Sequence, residues 1–160
     1  MGAPIRVVAG SASGPTAVAS YDAALADAGV HDYNLRPLSS VVPSGADVTV
    51  HDVAPDLGPV GGKLTVVQAR ATVEGTGRAT AALGWAREGD RGAGVFYETG
   101  GEFDRAEARR RIGRGLEYAG EIRTRDLGDP SVEVESTVTN GASFATAVVI
   151  AAYGEAEPID

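Results

Sequence analysis

The sequence contains no cysteine and only one lysine, Lys63. Without cysteine there is no disulfide, no thiol nucleophile and no thiolate metal site. A pyridoxal phosphate enzyme would have only Lys63 for its resting Schiff base, and the chain is small for that cofactor. Long hydrophobic runs are also missing. The longest, Ala147 to Tyr153, is strand-sized and far short of the roughly 18 residues that a membrane span needs. The stretch Met1-Gly2-Ala3-Pro4-Ile5-Arg6 lacks a basic region followed by an apolar one. No secretory signal is therefore expected, and the expected compartment is the cytoplasm. Positive charge is scarce, with 14 Lys and Arg against 22 Asp and Glu and a formal net charge of −8. No basic face is expected to neutralise phosphates, so neither nucleic acid nor an anionic membrane surface is an expected partner. A cationic small molecule would be mildly attracted. Low lysine and high acidity also fit a GC-rich or salt-loving source.

What is present describes a folded chain. Its 160 residues suit one domain with a single closed core. Hydrophobic residues make up 43% and charged residues 22%, too apolar for disorder to be the main state. The 22 glycines are scattered, which suggests tight turns between strands. There is no internal repeat or low-complexity tract.

Ile5 to Ala9 reads as a strand, and Gly10-Ser11-Ala12-Ser13-Gly14 as the loop after it. Pro15 suits the first position of a helix. Ala17, Val18, Tyr21, Ala24, Leu25 and Ala28 recur at helical spacing, and Gly29 is a suitable stop. Asp22 falls about 100° from Tyr21, at the border of that apolar stripe, and Asp27 falls outside it. Tyr33 to Leu38 reads as a strand bent by Pro37, with Ser39 and Ser40 at its end. Val48 to His51 is a short strand candidate, and the chain from Asp52 to Gly62 reads as a loop. Lys63 to Glu74, Ala79 to Arg87 and Gly92 to Tyr97 read as extended, with hairpin turns at Gly75-Thr76-Gly77 and Gly89-Asp90-Arg91.

Asp104-Arg-Ala-Glu107 has the form of a capping box, opening a helix with Ala108, Ile112, Leu116 and Ala119 on one face. Gly113 and Gly115 inside it suggest close packing, at about 1 kcal/mol each relative to Ala. In Ser131 to Thr139, Val132, Val134 and Val138 alternate with polar residues, as in a strand buried on one face. Asn140-Gly141 signals a hairpin to Ser143–Tyr153, a strand buried on both faces. The order strand, helix, several strands, helix, strand pair predicts a layered α+β sandwich, not a doubly wound parallel sheet.

The chemistry available is narrow. His31 and His51 are the imidazoles, and both read as loop or surface residues. There is no HExxH or comparable metal spacing, so no metal is expected. No G-x-S-x-G elbow supports a serine triad. Gly10 to Thr16 lacks the lysine and spacing of a phosphate loop. The dipeptide to single out is Ser39-Ser40. A serine hydroxyl can attack the carbonyl before it, turning amide into ester. This runs uphill in a relaxed chain, so it needs a strained turn and a donor for the developing oxyanion. The pair ends a strand between Pro37 and Pro43, with Asn34 upstream as a possible amide donor. β-Elimination would leave dehydroalanine, which hydrolyses to a pyruvoyl group, a reactive ketone made without lysine or bound cofactor.

Five stretches carry a resemblance. They are Val7-Val8-Ala9-Gly10-Ser11, Tyr21 to Val30, Asn34-Leu35-Arg36-Pro37-Leu38-Ser39-Ser40-Val41-Val42-Pro43, Gly94-Val95-Phe96-Tyr97-Glu98, and Val134-Glu135-Ser136-Thr137-Val138 with the Ala-rich strand after it. Their order over nearly the whole chain resembles the pyruvoyl-dependent arginine decarboxylases. The spacing from Asp22 to Asn34 to the serine pair is the specific part. The resemblance implies an α+β, four-layer αββα sandwich with mostly antiparallel sheets. It implies self-cleavage of the single 1–160 domain into a 1–39 β chain and a 40–160 α chain, with the covalent pyruvoyl group derived from Ser40. That group would form a Schiff base with the arginine α-amine, and loss of CO₂ would give agmatine for polyamine synthesis. Glu98 matches the proton donor to the resulting carbanion, Asp22 the carboxylate holding the guanidinium, and Asn34 the residue assisting cleavage. A homotrimer of processed chain pairs, with sites between neighbouring subunits, is implied too. Other expectations are a pyruvoyl decarboxylase for a different amino acid, or an uncleaved, non-catalytic homologue that binds a cationic metabolite.

Overall fold

The computed structural model describes residues 4–159, with backbone alone at 140 and 142. Met1 to Ala3, part of the stretch read for a signal, lie outside the described residues. The chain is α+β, a large mixed sheet with two helices. The strands are β1 (Ile5–Gly14), β2 (Asn34–Pro37), β3 (Val41–Val42), β4 (Val48–Val50), β5 (Lys63–Arg87), β6 (Gly94–Gly101) and β7 (Ser131–Glu157). The helices are α1 (Ala17–Ala28) and α2 (Arg105–Arg123). The sheet order is β3-β6-β5-β7-β1-β4, with β2 paired to β5 off that path. β1 with β4 and β2 with β5 run parallel, and the other pairs are antiparallel.

Two long strands organise everything else. β5 and β7 pair over almost their whole lengths, from Lys63↔Glu157 to Trp85↔Ser131. Hairpins at Gly75–Gly77 and Asn140–Gly141 do not form. Both glycine breaks fall instead inside continuous strands, where Thr76 pairs with Asn140 and the register slips between Glu74 and Thr76. Gly75 and Gly141 have φ of +75° and +117°, so glycine here lets both strands of one ribbon bend together at a bulge. The hairpin at residues 88–93 does form, with Arg87 paired to Gly94.

The bend folds the ribbon over an apolar core. Val67 and Ala69 from the first half of β5 meet Ala81, Leu83 and Trp85 from its second half, with Phe96, Val7 and Val149 in the same cluster. The alternate residues face outward to the helices. Leu64, Val66, Val148 and Ile150 pack under Ala24, Leu25 and Ala28 of α1. Ala82, Ala86 and Val134 pack under Ala108, Ile112, Leu116 and Ala119 of α2. A period-2 strand thus feeds one core with its odd residues and another with its even ones. Ala145 to Ala152 are all buried, Thr146 among them, as expected of a strand covered on both faces, while Ser143, Phe144 and Tyr153 at its ends are half-buried.

Several local expectations are corrected. Gly10 to Gly14 belong to β1, not to a loop. A Cβ on Gly10 would lie 2.4 Å from Ala24 O, and one on Gly14 2.6 Å from Ser20 N. These glycines let α1 lie against the strand and do not make a turn. Ala17, not Pro15, is the first helical residue, and Thr16 caps it, its side chain accepting the Ala19 N–H at 3.0 Å. The stripe is also displaced. Val18 is 77% exposed while Ser20 is buried, because its hydroxyl reaches Thr146 Oγ1 at 2.7 Å and Ala17 O at 2.9 Å. Val138, expected inside, is 60% exposed. Gly29 ends α1 at φ +85°, and Asp104 caps α2 by accepting Glu107 N–H, both as expected.

The two glycines inside α2 differ. A Cβ on Gly115 would lie 2.5 Å from the Tyr97 ring, whereas Gly113 faces open space. Gly113→Ala should therefore raise stability by about 1 kcal/mol through helix propensity alone. Gly115→Ala should lower it, because the Tyr97 ring must move. Denaturant midpoints of the two variants, shifting in opposite directions, check this.

Candidate active site

The serine pair lies between two sheet anchors. Upstream, Leu38 N–H donates to Val66 O at 2.8 Å, extending the parallel pairing of β2 with β5. Downstream, Phe96 N–H donates to Ser40 O at 2.8 Å, and Val41 pairs with Val95. The chain crosses from one anchor to the other within Ser39 and Ser40. Ser39 is exposed and Ser40 half-buried.

Ser40 has φ of +76°. Among the described residues, Thr124 at φ +52° is the other non-glycine at positive φ, and it is the C-cap of α2. Helix ends commonly adopt this conformation. Away from a helix end, a non-glycine residue held there costs roughly 1–3 kcal/mol, and it persists only where its surroundings impose it. Here β5 and β6 fix both sides of the crossing.

Glu98 comes to the same place through β6. The pairing of β3 with Gly94 and Val95 sets that strand beside Ser40, close enough for the Ser40 side chain to favour the charged form of the Glu98 carboxylate. Glu98 is exposed as a whole residue, yet protein atoms crowd its carboxylate. Loss of hydration raises its pKa above the ordinary carboxylate value. Its own backbone and the nearby Ser40 side chain oppose this without cancelling it. The site therefore combines a hydroxyl beside a carbonyl, a strained backbone and a carboxylic acid that holds its proton more tightly than usual.

The other two candidate residues are not joined to this pair within the chain. Asn34 opens the opposite end of β2, about 10 Å of strand from Pro37, and its amide donates to Gly61 O at 2.8 Å. Asp22 is exposed on α1 and makes no ion pair among the described residues. A cleft of about 360 Å³ beside it is lined by Ala17, Val18, Tyr21, Arg70, Ala71 and Thr72. A larger cleft of about 650 Å³ lies between α2 and residues 125–130, away from the serine pair. His31 is exposed, and His51 bonds Thr49 through Nε2 at 2.9 Å. Among the described residues no three His, Cys, Asp or Glu side chains cluster to hold a metal, and no helix is long and apolar enough to cross a membrane.

Sequence reasoning missed Tyr153. Its hydroxyl donates to Val41 O at 2.8 Å, one residue past Ser40, and its ring meets Phe96 edge-on at 6.1 Å. A signal was available. A tyrosine closing an all-apolar run needs a partner for its hydroxyl. Arg91 was also passed over. Its guanidinium donates to the Asp47 carboxylate and to Gly45 O, tying down the loop after β3.

Comparison with known proteins agrees over the length of the chain. Residues 4–158 match a family model described as pyruvoyl-dependent arginine decarboxylase (PvlArgDC). A protein of Halobacterium salinarum (strain R1), named pyruvoyl-dependent arginine decarboxylase, is 46% identical over 155 residues, covering 97% of this chain and 96% of that protein. Proteins of the same name from Methanopyrus kandleri and Thermococcus kodakarensis are 30% and 32% identical. They cover 96% and 89% of this chain, and 99% and 90% of their own lengths.

Proposed function

The chain belongs to the pyruvoyl-dependent arginine decarboxylase family and is a carboxy-lyase for arginine that depends on a covalently bound pyruvoyl group; from that premise we propose that Ser40 becomes the group by self-cleavage of the Ser39–Ser40 bond. The observation that carries this is the positive φ of Ser40, with its carbonyl held by Phe96 N–H and the Glu98 carboxylate close to its side chain. The residues present fit the group, because the hydroxyl from which it is made stands at a strained peptide fixed on both sides.

The step is an acyl shift followed by elimination. Ser40 Oγ attacks the Ser39 carbonyl carbon, the C–N bond breaks as the ester forms, and the hydroxyl proton ends on the freed amine. Loss of the Ser40 Cα proton then expels the Ser39 carboxylate from Cβ and leaves dehydroalanine. Water adds, ammonia leaves, and position 40 carries the ketone. The Cα proton lies next to the Ser40 carbonyl, whose oxygen already accepts Phe96 N–H. That donor stabilises the charge that develops there.

The finished keto group would supply a carbonyl for the arginine α-amine and an electron sink for the loss of CO₂, the chemistry that yields agmatine for polyamine synthesis. Glu98 is the proton donor to the carbon that loses CO₂, and its raised pKa keeps that proton available. Asp22 holds the guanidinium, for which a carboxylate is a planar, two-pronged partner. Asn34 assists cleavage. Neither residue reaches Ser40 inside one chain, so both act across a subunit boundary in a homotrimer of processed chain pairs. The exposed apolar residues Leu38, Val41, Val18 and Val138 support a surface that neighbours cover. The two apolar cores under the helices and the third within the folded ribbon favour a four-layer αββα sandwich. A cytoplasmic location completes the reading.

Borohydride reduction with arginine present tests the role of position 40. The expected adduct is on position 40 itself, the first residue of the 40–160 chain, and no adduct there would contradict it. CO₂ release should be fastest from arginine when lysine, ornithine and histidine are compared. Equal rates from lysine would remove the specificity.

A further inference from the structure

The peptide after Ser40 is gripped from two directions. Alternate carbonyls of an extended strand point to opposite sides. Ser40 O faces β6 and accepts Phe96 N–H, while Val41 O faces away from that partner and accepts the Tyr153 hydroxyl, each at 2.8 Å. β3 is only two residues long, too short to hold its own conformation by ladder bonds. A side chain from β7, far away in sequence, supplies the missing grip. The Tyr153 ring is fixed in turn by its edge contact with Phe96, which itself stacks obliquely on Trp85 at 5.8 Å.

We propose that Tyr153 is a positioning residue for self-cleavage, holding Val41 O so that Ser40 stays in the left-handed conformation from which its hydroxyl meets the Ser39 carbonyl. This rests on the self-cleavage reading above. Without the Tyr153 bond, β5 and β6 still anchor both sides of the crossing, but Val41 O is released and Ser40 is held in the left-handed conformation less firmly. Burial pushes the Tyr153 phenol above its ordinary value. The hydroxyl therefore remains a donor throughout the range in which an enzyme of this kind works. Once the bond is cut, the strained conformation has served its purpose, so turnover at a finished site does not need the grip.

The test is Tyr153→Phe, which keeps the ring on Phe96 and removes only the donor. Freshly made full-length chain is followed by mass spectrometry as the 160-residue mass gives way to two fragments. Cleavage should slow about tenfold, the effect of one net hydrogen bond. The melting temperature should stay near that of the parent, and turnover per cleaved site should stay within about twofold. Tyr153→Phe cutting at the parental rate would overturn the proposal. If Tyr153→Phe does not fold, a trifluorinated tyrosine at 153 decides the matter, since it keeps ring and hydroxyl but ionises at lower pH. Cleavage of that protein should decline at alkaline pH where the parent does not, because a phenolate cannot donate. Identical pH profiles would overturn the proposal. A parent chain that never cuts would sink the self-cleavage reading itself, whereas a cutting parent matched by Tyr153→Phe sinks only the role of Tyr153.

Discussion

Ser40→Ala leaves the protein as one 160-residue chain with no decarboxylation at all. Only a hydroxyl is lost, from a half-buried residue whose backbone is held by Phe96 and by the β3–β6 pairing. Alanine at φ +76° pays about the same conformational cost as serine, so stability should change by less than about 1 kcal/mol. Processing, by contrast, loses its nucleophile, and no neighbouring group can supply the β-carbon oxygen that elimination requires. Activity falls to background because the prosthetic group is never made. Gel or mass analysis and a CO₂ assay on the same preparation check both halves. Ser39→Ala provides the contrast. Ser39 contributes only its carbonyl carbon, so that variant should still cut. Decarboxylation by Ser40→Ala at the parental rate would rule out the mechanism.

Glu98→Gln should separate self-cleavage from turnover. Glutamine keeps the size of the side chain, and the turn is anchored by backbone bonds to β5 and β6, so the chain still cuts. What it lacks is a proton to give. Turnover should drop by about 10²- to 10⁴-fold, the usual contribution of a placed general acid. The pH dependence carries the same signature. Burial raises the Glu98 pKa, and the protonated form is the donor, so the parental rate declines as pH rises through that raised value. The residual activity of Glu98→Gln should lose that limb. The native state also holds this proton more tightly than the unfolded chain does. Stability therefore declines as pH climbs from the ordinary carboxylate value to the raised one. Glu98→Gln should remove that slope, which urea titrations at several pH values would register. Normal turnover in Glu98→Gln would take Glu98 out of the catalytic role.

The chemistry was more legible in the sequence than the architecture that serves it. Ser39-Ser40 between Pro37 and Pro43, with Asn34 and Asp22 at their spacings, could be read along the chain because the motif is local. The positive φ of Ser40 could not. It arises because β2 is tied to β5 and β3 to β6, and pairing between strands distant in sequence leaves no local pattern. The Glu98–Ser40 contact has the same origin. The glycines misled for a related reason. Read locally, Gly75 and Gly141 are hairpin turns, yet opposed in a long ribbon they bend it without ending it. Gly10 and Gly14 look like loop residues, but they are the places where α1 comes too close for a side chain. The helix faces fared better where packing is uniform, as in α2. In the first turn of α1, buried hydroxyl bonds of Ser20 displaced the apolar stripe. Tyr153 shows the remaining gap, since a hydroxyl at the end of an apolar strand announces that it needs a partner but not which one.

The most direct measurement is the intact mass of purified, denatured protein after incubation. The account predicts two species, residues 1–39 ending in a free carboxylate and residues 40–160 beginning with a keto group instead of an amine. A single mass for all 160 residues, unchanged with time and unreactive to borohydride with arginine, would contradict it.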